Sequence, residues 1–124
     1  MKNQKFTVWL DGLKDVWETK SPNKILDLMA QKFLWQEGPF DELITTKEGL
    51  IKEWNSVLNH KDVNVSYKLL VVEKNVGIAQ FHATYVRLSS GENLEIDGVF
   101  MIGLDDNGKC IEFRQWYNEK NKIK

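Results

Sequence analysis

Beyond His60 the hydrophobic pattern of the chain changes period. Val63, Val65, Tyr67, Leu69 and Val71 alternate with Asn64, Ser66 and Lys68, and a spacing of two puts successive side chains on opposite faces of a strand. Turn signals then recur at short intervals, at Asn75 to Gly77, Ser89-Ser90-Gly91 and Asp105-Asp106-Asn107-Gly108. The last is a strong hairpin signal, because Asn-Gly accepts the positive φ angles of a tight turn. Strands are expected between these turns, from about Ile78 to Leu88, Leu94 to Leu104 and Cys110 to Tyr117. Sequential strands joined by short turns make an antiparallel meander. Long strands twist strongly, so the sheet is expected to curve around whatever covers its hollow face.

The first half supplies that cover. Phe6, Trp9, Leu10, Leu13, Val16 and Trp17 fall at steps of three and four, the stripe of an amphipathic helix. Gly12 weakens that helix by up to ~1 kcal/mol relative to alanine. Ser21-Pro22 reads as an N-cap and first helical residue, followed by a short helix with Ile25, Leu26, Leu28 and Met29 as its apolar face. Phe33 to Trp35 suits a short strand that Gly38-Pro39 stops. Thr45 and Glu48 have capping-box spacing before a third helix carrying Leu50, Ile51, Trp54, Val57 and Leu58, closed by Asn59 and His60. Helices first and strands after define an α+β fold: three N-terminal helices packed on a strongly curved antiparallel sheet, with a cavity at the open end. At 124 residues the chain suits a single domain, residues 1–124.

Charge and residue usage narrow the function classes. Seventeen basic against eighteen acidic residues leave a net charge of -1, a poor match to a phosphate backbone, so no nucleic-acid partner is expected. The single cysteine, Cys110, makes no internal disulfide and has no base beside it for nucleophilic catalysis. Asp11, Lys14 and Asp15 interrupt any apolar stretch of signal-peptide length near the start. Apolar runs such as Leu69 to Val72 are far below the ~20 residues of a membrane span. A cytoplasmic, soluble protein with no membrane partner is expected, its Lys120, Lys122 and Lys124 a solvated tail. His60 and His82 lack metal-ligand spacing, and the eight glycines are scattered, so neither a metal nor a phosphate-bearing cofactor is expected.

The order of these pieces resembles one known superfamily. The tryptophan-bearing first helix is followed by Ser21-Pro22-Asn23-Lys24-Ile25-Leu26-Asp27-Leu28-Met29-Ala30, then by Leu34-Trp35-Gln36-Glu37-Gly38-Pro39-Phe40 and by Gly49-Leu50-Ile51-Lys52-Glu53-Trp54. Gly98-Val99-Phe100-Met101-Ile102 and the run from Asn107 through Trp116-Tyr117 complete it. Nearly the whole chain thereby resembles the nuclear transport factor 2-like superfamily, with its SnoaL-like polyketide cyclases and ketosteroid isomerases. The resemblance implies a cystatin-like cone, or α+β barrel, with an apolar pocket between sheet and helices, commonly in a homodimer. It carries many activities, so function must be read from the site.

Strand alternation assigns the pocket face. Ala79, Phe81, Ala83 and Tyr85 share one side of their strand, Ile96, Gly98, Phe100 and Ile102 one side of the next, and Ile111, Phe113, Gln115 and Tyr117 one side of the last. The small Ala79, Ala83 and Gly98 would leave room there. Trp17, Trp35, Phe40 and Trp54 are expected to complete the wall. With five Trp, six Phe and three Tyr, the chain suits a small apolar or aromatic ligand. The binding residues expected are thus Trp17, Trp35, Phe40, Trp54, Phe81, Tyr85, Phe100, Phe113 and Gln115, with Tyr85 and Gln115 orienting the ligand.

Glu37 is the candidate catalytic residue. In the isomerase branch an aspartate precedes a proline at the end of the first short strand, and Glu37 stands near that place, although Gly38 directly precedes Pro39. Buried among aromatics, its carboxyl would rise toward the range of a general base. Alternatively, it is a solvated loop glutamate. The isomerase oxyanion hole is not matched: the first-helix position falls near Leu13, which donates nothing, and Asp97 lies opposite to Phe100 by alternation. His82 is expected outward, and His60 as a cationic cap on a helix C-terminus. Two functions remain open: a cofactor-free isomerase, dehydratase, cyclase or hydrolase, or a non-catalytic ligand-binding or protein-interaction module. Val99, Met101 and Trp116 on the outer sheet face suggest a homodimer contact.

Overall fold

The structure is a computed structural model that describes residues 2–121; Lys122 and Lys124 of the basic tail lie outside it. Helix α1 spans Lys2–Glu18. Its predicted stripe is the buried one: Phe6, Trp9, Leu10, Leu13, Val16 and Trp17 all enter the core. The next segment, Pro22–Leu28, is a 3-10 helix. Ser21 holds its N-cap position, but its side chain does not cap, because the hydroxyl donates to the Thr19 carbonyl instead.

Strand β1, Met29–Gln36, is longer than its apolar centre suggested. It is an edge strand that pairs in parallel with the last strand. Helix α2 covers Lys47–Trp54 and starts one residue later than expected: Thr46, not Thr45, is its N-cap. The Thr46 Oγ1 accepts the Gly49 N–H at 3.1 Å, so Glu48 falls one position short of closing a capping box. A 3-10 segment, Asn55–Asn59, carries the chain into the sheet.

Four long strands follow: β2 His60–Glu73, β3 Val76–Arg87, β4 Asn93–Leu104 and β5 Cys110–Asn121. The sheet order is β1-β5-β4-β3-β2. The β2/β3, β3/β4 and β4/β5 pairs are antiparallel. The expected antiparallel sheet is therefore corrected to a mixed one, because β1 reaches the edge by a crossover rather than a hairpin. The first hairpin turns on Lys74 and Asn75, with Lys74 at φ 56°. Val76 and Gly77, expected in that turn, are drawn into the ladder opposite Gly103 and Ile102. In the last hairpin Asp105 Oδ1 accepts the N–H groups of Asn107 and Lys109, each at 2.9 Å, and Gly108 supplies the positive φ of 78°.

Irregularities bend this sheet toward α1. Register shifts interrupt β2 between Lys61 and Asn64 and between Leu69 and Val71, and β4/β5 at Gly103/Leu104. Bulges of this kind increase local twist and kink the strand. The Glu18 carboxylate at the end of α1 accepts the Val65 N–H at 2.9 Å, tying helix to strand just past the first bulge. The β4/β5 shift also corrects the predicted face of β5: Cys110 is buried and Ile111 exposed, the reverse of simple alternation, while Phe113 faces in as expected. Burial pushes the Cys110 thiol up to about 12, which makes it inert.

The core is aromatic where β1 meets β5. Trp35 stacks on Phe113 with ring centroids 3.8 Å apart and planes 12° from parallel, a pairing that adds ~1 kcal/mol to area burial. Trp9 packs beside both rings and donates its indole N–H to the Leu28 carbonyl at 2.9 Å. On the next two strands Phe81 stacks on Phe100 at 4.0 Å. The three phenylalanines of these pairs face a hollow between the sheet and the helices.

Candidate functional site

A cavity of about 310 Å³ opens between the sheet, α1 and α2, at the lower end of the range usual for small-molecule sites. Phe81, Phe100 and Phe113 form its sheet wall, and Leu13, Trp17, Trp54 and Val57 its helical wall. The polar residues Glu37, Gln115, Tyr85, Tyr117, His60, Arg87 and Glu119 also border it.

Eight of the ten residues singled out in the sequence lie on this cavity: Glu37, Trp17, Trp54, Phe81, Tyr85, Phe100, Phe113 and Gln115. Two do not. Trp35 is 0% exposed behind Phe113 and meets the cavity only through its hydrogen bond to Glu37. Phe40 is 99% exposed, because the turn closed by the Asp41 N–H on the Gly38 carbonyl lies outside the cone. Gly98 does not act by leaving room in the cavity either. A Cβ there would overlap the Trp116 carbonyl oxygen of β5.

Glu37 follows directly on β1. Two residues along a strand share a face, so the Glu37 side chain lies over Trp35, whose indole N–H donates to its Oε2 at 2.7 Å. Burial pushes the carboxyl up from 4.5 to about 7; the Trp35 hydrogen bond opposes the rise, and the charges of Glu53 and Asp41 add to it. A carboxyl poised near neutrality can both accept and return a proton. Trp35→Phe keeps the stack and removes the donor to the ionised form. The Glu37 pKa should then rise above its present value, read from the pH dependence of its side-chain carboxyl carbon in an NMR titration.

The intended orienting groups are already engaged. Tyr85 donates its hydroxyl to Glu119 Oε2 at 2.6 Å, with Arg87 Nη2 3.9 Å from the same oxygen. Gln115 donates its amide to the Glu37 carbonyl at 3.3 Å. Tyr117 is 44% exposed at the rim; burial, then Glu37 and Glu119, hold its phenol above the ordinary range.

His60 and Glu119 were missed as site residues. His60 starts β2 and is fixed by its neighbour: Asn59 bonds Ser89 through both ends of its amide and accepts the Leu88 N–H on its carbonyl. The expected cationic helix cap is corrected here. Trp17 Nε1–H donates to His60 Nδ1 at 3.3 Å, which requires an unprotonated Nδ1. Burial, then the charge of Arg87, lower its pKa. His82 and Asp97 lie off the cavity as expected: His82 pairs with Glu95, and exposed Asp97 accepts from Gln80 at 3.3 Å.

One wall group has no protein partner. Trp54 is 8% exposed, and its Nε1–H finds no acceptor among the described residues. Its ring meets Trp17 edge-on at 6.4 Å and Trp35 at 6.0 Å. No group of three or more His, Cys, Asp or Glu among the described residues could hold a metal ion, and no helix among them is long and apolar enough to cross a membrane.

Comparison with known proteins bears on this geometry. The SnoaL-like domain profile matches residues 11–113. No curated protein matches the sequence. Among solved structures, the chain is similar to the epoxide hydrolase/cyclase-like enzyme SalBIII, reported in pyran ring formation in the polyether salinomycin: TM-score 0.84 and 12% identity over 98% of this chain and 100% of that one. RV0760c from Mycobacterium tuberculosis gives a TM-score of 0.80 and 14% identity over 94% of this chain and 95% of its own. A computationally designed 17-OHP binder gives 0.80 and 18% over 95% and 97%. Identities this low speak for the fold.

Proposed function

The chain belongs to the SnoaL-like domain family, and from that premise we propose that its cavity binds a small, largely apolar molecule on which Glu37 moves a proton without a cofactor. The observation that carries this reading is the Glu37 carboxyl: half-buried on the cavity wall, held by the Trp35 N–H and lifted to about 7. Proton abstraction from carbon and its return underlie isomerase, dehydratase and cyclase chemistry alike. The base takes the C–H proton, the electron pair passes to the ligand, and the protonated carboxyl gives a proton back. Steroid isomerase chemistry in its usual form is not proposed, since Leu13 occupies the first-helix position of the cavity wall and Asp97 lies outside.

The test is hydrogen–deuterium exchange at the methyl group of 2-acetylnaphthalene in D2O, followed by proton NMR. Exchange above the buffer rate is expected with the native protein and not with Glu37→Gln. Equal exchange by both proteins would remove Glu37 from the chemistry. A second reading, a non-catalytic binding module, draws support from the engagement of Tyr85 and Gln115 by neighbouring groups. The similar fold of a designed 17-OHP binder is compatible with it. Binding of the ketone without exchange would favour that reading.

A homodimer through the outer sheet face is part of the proposal. Trp116 is 43% exposed there, with Val99 and Met101 half-buried on the same side. Native mass spectrometry is expected to give twice the chain mass, and Trp116→Glu the chain mass; a monomeric native protein would sink this element.

A further inference from the structure

Trp54, Trp17 and His60 form one continuous stretch of cavity wall. Trp17 lies edge-on to Trp54 at 6.4 Å and 6.5 Å from the His60 ring, and all three border the same space. The hydrogen bonds of this stretch are unbalanced. Trp17 donates to His60 Nδ1, so the proton of the neutral imidazole sits on Nε2. The His60 ring is half-buried, and the buried Nε1–H of Trp54 has no acceptor among the described residues. A buried donor left unmatched costs ~1–3 kcal/mol, and an incoming acceptor relieves that cost.

We infer that this wall is the receptor for an uncharged oxygen of the bound molecule, carbonyl, ether or epoxide, with His60 Nε2–H and Trp54 Nε1–H as its donors. The inference rests on reading the cavity as a ligand site and is independent of whether Glu37 moves a proton. Charge around the cavity excludes an anionic oxygen. Glu37, Glu53 and Glu119 border it against one guanidinium, that of Arg87, which is already shared between Glu92 at 3.3 Å and Glu119 at 3.9 Å. A ligand carboxylate would meet uncompensated like charge. An ammonium would suit the carboxylates but would leave both N–H groups facing a positive charge.

Three matched probes test this by protein-observed NMR titration: naphthalene, 2-acetylnaphthalene and 2-naphthoate. In the native protein the ketone is expected to bind about tenfold more tightly than naphthalene, the yield of one or two net hydrogen bonds, and 2-naphthoate more weakly than the ketone. The His60 Nε2 resonance should shift on addition of the ketone and stay in place with naphthalene. His60→Phe should bring the ketone-to-naphthalene ratio close to one, Trp54→Phe should lower it a few-fold, and His60→Gln, which keeps an N–H donor, should preserve part of it. Naphthalene binding confirms that each variant is folded. An unchanged ratio in His60→Phe, or tightest binding by 2-naphthoate, overturns the inference alone. Failure of all three probes to bind the native protein overturns it together with the ligand-site reading.

Discussion

Gly98→Ala is expected to lower stability by more than about 3 kcal/mol, or to prevent folding. Overpacking into side chains usually costs 1–3 kcal/mol, because they can turn aside; here the obstruction is backbone. The added Cβ would overlap the carbonyl oxygen of Trp116 and lie 2.7 Å from the Cα of Tyr117, the residue paired with Gly98 across the ladder. Relief requires β4 and β5 to separate at the middle of their pairing. Gly103→Ala is the matched control on the same strand, where the new Cβ meets its nearest atoms at 3.6 Å, ordinary contact. Urea denaturation should place the two variants at least 2 kcal/mol apart, with Gly103→Ala within about 1 kcal/mol of the native protein. Similar midpoints for both would show that the β5 backbone gives way at Gly98 at little cost.

That glycine also shows where the chain was legible and where it was not. Periodicity located α1 by its full stripe and β3 and β4 to within two residues, because each buries one regular face. The same alternation placed Gly98 beside Ile96 and Phe100, yet its role depends on how close β5 comes, which no local pattern encodes. The 3-10 geometry of Pro22–Leu28 and the parallel pairing of β1 are likewise set by partners distant in sequence. Strand length mattered more for the site. With β5 ended at Tyr117, the inward series Phe113, Gln115, Tyr117 stopped one step short of Glu119. Extending it would have brought in that carboxylate, and with it the reason Tyr85 is not free to orient a ligand. His60 carried no signal as a cavity residue, since its tautomer depends on Trp17, 43 positions away. Glu37 was singled out through the family resemblance, by Pro39 nearby, whereas its elevated pKa depends on burial that only the assembled fold supplies.

Glu37→Gln should uncouple stability from activity. Folding lifts this carboxyl from 4.5 to about 7, chiefly by burial. Below pH 4.5 the folded and unfolded chains both hold the proton, and the group contributes no difference between them. Between pH 4.5 and about 7 the unfolded chain releases the proton while the folded one keeps it, so stability falls as pH rises. Above about 7 both are ionised, and the loss levels off at up to about 3 kcal/mol. Glutamine has nearly the same shape and no proton to lose. The variant should therefore match the native protein at pH 4 and exceed it at pH 8 by as much as that loss, less whatever the weaker hydrogen bond from Trp35 gives back. In the exchange assay the same variant should lose on the order of 10²- to 10⁴-fold of any rate above buffer, the usual contribution of a positioned base. A gain in stability at pH 8 joined to a loss of exchange marks a carboxylate kept buried for its chemistry at a thermodynamic cost. Native and variant curves that run parallel from pH 4 to 8 would mean that Glu37 titrates as an ordinary surface glutamate, and the proton-transfer reading would fall with it.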